Sequence, residues 1–114
     1  MDEFITNKCI TERSCVANDH DIWLCKDKKT DGNFFVHVMN GYKLYITFFN
    51  QKHGKKVSTS CVIAVLKGIS KKIKAKGIIP EIRIDKENKA LIGICYKAGF
   101  TKKHGVKDVY EYSE

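Results

Sequence analysis

The chain has one proline, Pro80, and its eight glycines are scattered, so nothing in its 114 residues reads as a Pro- or Gly-rich linker. It also lacks internal repeats and low-complexity tracts. One compact domain over 1–114 is therefore expected, with 1–20 an abbreviated N-terminal region. No apolar run approaches the roughly 20 residues that span a bilayer. The opening MDEFITNK carries acid early and lacks the apolar stretch of a signal peptide. These absences predict a soluble, cytoplasmic protein without membrane contact.

Close cysteine pairs are missing too. The five cysteines, at 9, 15, 25, 61 and 95, are odd in number and never spaced C-x-x-C. Zinc sites usually show such pairs, so no metal is expected, and reduced, buried thiols are the simpler expectation. Acid is scarce as well: 13 Asp and Glu stand against 21 Lys and Arg, a formal charge of +8. That balance suits phosphate-bearing partners, either nucleic acid or a nucleotide-like cofactor such as coenzyme A, and equally a solvated basic surface.

What is present has a clear order. A short strand at Phe4–Thr6 and a short helix over Thr11–Ala17, capped by Thr11, are expected first. DIWLC, FFVHVM and YKLYITFF then alternate as strands, roughly 21–27, 33–39 and 42–49, with Asn40-Gly41 as the hairpin turn. From Val57 the period changes: Cys61, Val62, Val65, Leu66, Ile69 and Ile73 form the apolar stripe of a helix ending near Gly77. IIPEIRI, 78–84, reads as a strand that Pro80 weakens at its start. Asn88 caps a second helix, with Leu91, Ile94, Cys95 and Ala98 on one face and Gly99 as its stop. Two short strands around His104-Gly105 close the chain. The expected class is α+β: a mixed central sheet with antiparallel N-terminal strands, then helix, strand, helix and strands, the helices packed on the sheet.

NKALIGICYKAGF carries a resemblance. An Asn after a strand and a Gly-Phe twelve residues on, here Asn88 and Gly99-Phe100, is similar to the closing segment of the GNAT N-acetyltransferase superfamily. The likeness covers roughly residues 20–114, as a short and divergent member. It implies that the backbone of Ile46, Phe48 and Phe49 holds the pantetheine arm of acetyl-CoA. It also implies a glycine-rich turn before the first helix, whose free N–H groups bind the pyrophosphate. Starting the turn pattern at Gln51 keeps Gly54 but spoils the helix stripe. Starting at His53 keeps the stripe and is preferred. His53 then replaces Arg or Gln, Gly54 matches a common extra glycine, Lys56 replaces a glycine and Ser58 replaces Gly or Ala. Lys55, Lys56, Val57, Ser58, Thr59 and Asn88 complete the implied cofactor set.

The implied catalytic set is less regular. The family's proton-donating Tyr falls at Cys95, with Tyr96 one residue late and about 100° further round the helix. Glu81 is the sheet carboxylate placed to accept the amine proton. The resemblance thus implies transfer of an acetyl group from acetyl-CoA to an amine of a small molecule or protein. Two other readings stand beside it. One is a catalytically degenerate GNAT-fold binding or assembly module. The other is a basic nucleic-acid-binding domain using Lys52, Lys55, Lys56, Lys67, Lys71, Lys72, Lys74 and Lys76.

Overall fold

The computed structural model describes residues 3–5, 9–17, 20–49 and 56–114. Eight strands among them form one sheet: β1 (Glu3–Ile5), β2 (Cys9–Ala17), β3 (His20–Asp27), β4 (Asn33–Met39), β5 (Lys43–Phe49), β6 (Glu81–Arg83), β7 (Phe100–Lys102) and β8 (Val109–Tyr112). Two helices, α1 (Thr59–Lys74) and α2 (Lys89–Ala98), follow β5 and β6 respectively. The strand order is β1-β2-β3-β4-β5-β6-β8-β7. Every pairing is antiparallel except β5–β6, which is parallel. The α+β class and the mixed sheet are as the sequence led us to expect.

The β4–β5 hairpin forms where Asn-Gly marks it. Asn40 and Gly41 take φ of 56° and 78°, the left-handed values of a type I′ turn, and the Tyr42 N–H donates to the Met39 carbonyl. Alternation then sorts each strand. Trp23, Cys25 and Asp27 of β3, Phe34, Val36 and Val38 of β4, and Leu44 of β5 are buried on one face. That face receives the α1 stripe of Cys61, Val62, Val65, Leu66, Ile69 and Ile73, and Cys95 and Ala98 of α2. On the opposite face Leu24 and Tyr45 stay 40% and 45% exposed.

Three local expectations change. Thr11–Ala17 is not a helix: it belongs to β2, which pairs with β3 from Cys9↔Asp27 to Ala17↔His20. The open edge of β3 needs a partner, and Ile10, Thr11, Cys15 and Val16 suit a strand, so sheet pairing overrides the cap signal of Thr11. The strand expected over 78–84 shrinks to Glu81–Arg83. Pro80 has no N–H to give, and Ile78 and Ile79 ahead of it are exposed. The first strand is Glu3–Ile5, with Thr6 outside the described residues. The thiols also differ from expectation, because Cys9 and Cys61 are joined as a disulfide.

Candidate cofactor cleft

The parallel junction of β5 and β6 is brief. Lys43 pairs with Glu81 and Leu44 with Ile82, and there the ladder ends. The Glu81 N–H donates to the Tyr42 carbonyl at 2.9 Å, so that carbonyl points toward β6. Because strand residues alternate sides, Leu44, Ile46 and Phe48 aim their N–H and C=O groups the same way. Leu44 meets β6. Ile46 and Phe48 lie beyond the last rung, so their main-chain groups face the opening between the strands.

A cavity of about 290 Å³ adjoins this edge. It is lined by Phe48, Val57, Thr59, Val62, Asn88, Ala90, Leu91 and Ile94, so the C-terminal half of β5 and the first turns of both helices meet there. Phe48 stacks on buried Phe34 at 5.8 Å, which fixes one wall. Most of the lining is apolar, with Thr59 and Asn88 as the polar exceptions.

Both helix starts are anchored. Ser58 caps α1, its Oγ accepting the Cys61 N–H at 3.3 Å, and Asn88 caps α2, its Oδ1 accepting the Leu91 N–H at 3.2 Å. Beneath Ser58 sits Asp27, 1% exposed. Its Oδ2 accepts the Ser58 N–H at 2.7 Å, and its Oδ1 accepts the N–H groups of Lys29 and Thr30 at 2.8 and 3.3 Å. Burial alone would raise this pKa. The Ser58, Lys29 and Thr30 hydrogen bonds outweigh it and hold the carboxyl at about 2. Asp27 therefore takes one donor of the helix start. The N–H groups of Thr59 and Ser60, in the first turn, have no intrahelical partner.

The structure brings Phe48, Val57, Thr59 and Asn88 to one cavity. Ile46 contributes backbone beside it, Ser58 is the cap next to Thr59, and Lys56 is exposed just ahead. Phe49 ends β5, paired with Asn33. His53, Gly54 and Lys55 lie outside the described residues.

The three expected catalytic groups are not gathered. Cys95 is fully buried in the core, and burial pushes its thiol up to about 12. Passing its proton to a leaving thiolate of ordinary acidity would be uphill. Tyr96 is 51% exposed and stacks edge-on to Tyr110 at 5.8 Å, away from the cavity lining. Glu81 is half-buried on the other sheet face, bonded to Lys103 Nζ at 3.0 Å beside Lys43, Tyr45 and Arg83. Asp27, Ala90, Leu91 and Ile94 are site residues that the sequence did not offer. Asp27 gave no signal, because its partner Ser58 is 31 residues away.

The described residues thus form a mixed-sheet α+β protein with α1 and α2 on one face and a cleft at the parallel β5–β6 junction. No protein-family model matches the chain, and no curated protein or solved structure matches it either.

Proposed function

We propose that the chain is a GNAT-like N-acetyltransferase that binds acetyl-CoA in the β5–β6 cleft and transfers the acetyl group to an amine. One observation carries this: among the described residues no strand pairs with β5 at Ile46 and Phe48 on its β6 side, beside an apolar cavity and the start of α1. A pantetheine arm is an extended chain with two amides, and an open strand edge offers alternating donors and acceptors to match it. The apolar lining suits its methyl and methylene groups. The N–H groups of Thr59 and Ser60, the Thr59 hydroxyl and the Lys56 ammonium suit the pyrophosphate. Asp27 holds that turn in place through the Ser58 N–H and side chain.

Acetyl-CoA supplies the activated acyl group. The chain's own contribution is to hold the thioester and exclude water. An amine presented at the opening attacks the carbonyl carbon, so proximity provides much of the rate. Glu81 stands at the junction itself, but on the opposite sheet face and ion-paired with Lys103, so the reading leans on proximity rather than on a carboxylate base.

A second reading, binding without transfer, is favoured by the burial of Cys95 and by Tyr96 lying outside the cavity. One experiment separates the two. Acetyl-CoA is titrated calorimetrically into the protein and into Lys56→Glu, and acetylated product is then sought with spermidine and a Lys-containing peptide. Micromolar binding that the charge reversal weakens, with product formed, is the expected result. Binding without product selects the second reading, and no binding at millimolar ligand removes both.

A further inference from the structure

Cys9 stands opposite Asp27 in the β2–β3 register. Asp27 holds the Ser58 N–H, and Cys9 is bonded to Cys61 in the same turn of α1. The first turn is therefore tied to two adjacent strands at adjoining positions, once by a buried carboxylate and once by a covalent bond. Both cysteines are fully buried, while Cys25 and Cys95 are free thiols. The tied turn is also a wall of the cavity, through Val57, Thr59 and Val62.

We infer that Cys9 and Cys61 are a thiol–disulfide switch that orders the first turn of α1 and thereby sets the affinity of the cleft. The ligand half of this rests on the acyl-CoA reading; the ordering half does not. In the oxidising direction the two thiols react with one oxidised glutathione through a mixed disulfide. They yield the Cys9–Cys61 bond and two reduced glutathiones, so two electrons leave the protein sulfurs and two protons pass to the glutathione thiolates. The reagent gains access by local opening of the β2 end and the helix start, since neither sulfur is exposed in the closed form.

Linkage makes the idea quantitative. If the ordered turn binds acetyl-CoA more tightly, then acetyl-CoA must favour the disulfide by the same factor. A tenfold affinity ratio corresponds to a shift of about 30 mV in the midpoint of the two-electron couple.

The test uses the full chain equilibrated with glutathione at graded ratios. Peptide mapping reads which cysteines are joined, and hydrogen exchange reads the amides of Thr59–Leu66. Acetyl-CoA affinity is measured in both redox states. Expected are a reversible Cys9–Cys61 bond and slower exchange in the first turn on oxidation. Binding is expected to be several-fold tighter when oxidised, and the glutathione midpoint to shift by the same factor with ligand present. Cys9→Ala and Cys61→Ala, made separately, are each expected to abolish the redox response. All five thiols free under oxidising glutathione, a bond between other cysteines, or equal exchange in both states would overturn the switch. If exchange responds but acetyl-CoA binds neither state, the ordering half stands and both the ligand half and the acyl-CoA reading fall. Equal affinity in the two states overturns the ligand half alone.

Discussion

Hydrogen bonds stabilise the charge of Asp27: the backbone N–H groups of Lys29, Thr30 and Ser58, and the Ser58 side chain. Its folded pKa of about 2 lies below the ordinary 3.8, so its contribution is fully present above pH 3.8 and is lost as pH falls toward 2. That difference is worth about 2 kcal/mol. Asp27→Asn is expected to lower stability by that order at neutral pH. It is also expected to flatten the melting temperature between about pH 4 and pH 2, which calorimetry across that range checks. Cys95 and Tyr96 call for the opposite expectation. If the cleft acts by proximity, Tyr96→Phe leaves both affinity and product formation unchanged; a loss of turnover at constant affinity would return Tyr96 to the chemistry.

Caps and edges are matters for whole elements. Ser58→Ala removes the acceptor for the Cys61 N–H and is expected to destabilise the fold by about 1 kcal/mol, read by chemical denaturation. Gly99 ends α2 at φ 103°, and an added Cβ would lie 2.7 Å from the Glu114 side chain. Gly99→Ala is therefore expected to be the more damaging change, because the strain sits in the backbone. Ile46→Pro tests the open edge directly. Proline deletes an N–H that no described strand uses, so the fold is expected to survive while acyl-CoA binding loses about 1 kcal/mol, roughly fivefold.

The elements also show what could be read from the sequence. Asn40-Gly41, the α1 stripe and the Asn88–Gly99 frame are local signals, since neighbours in sequence satisfy them, and each appears where it was expected. The strand character of Thr11–Ala17, part of β2, was hidden because pairing with β3 decides it over the local cap signal of Thr11. Asp27–Ser58 and Cys9–Cys61 were hidden because each joins residues brought together only by the finished sheet. The apolar cleft wall of Leu91 and Ile94 was visible only as a helix stripe, since periodicity says which face is apolar but not what lies against it.

Across the whole molecule the formal charge is +8, and the proposed ligand is an anion. Acetyl-CoA affinity is therefore expected to fall as salt rises, whereas an S-acetyl-pantetheine probe without phosphates shows little salt dependence. Equal salt slopes for the two would place the phosphates away from the basic surface. The sheet itself is unevenly joined. Strands β1 to β5 form one plate and β6, β8 and β7 another, and only two rungs at Lys43–Leu44 stitch them together, with α1 and α2 packed across the seam. Past those rungs no described strand hydrogen bond holds β5 against β6, so the spacing at Phe48 rests on the packing of α1 against α2, as the splay of an easel rests on its strut.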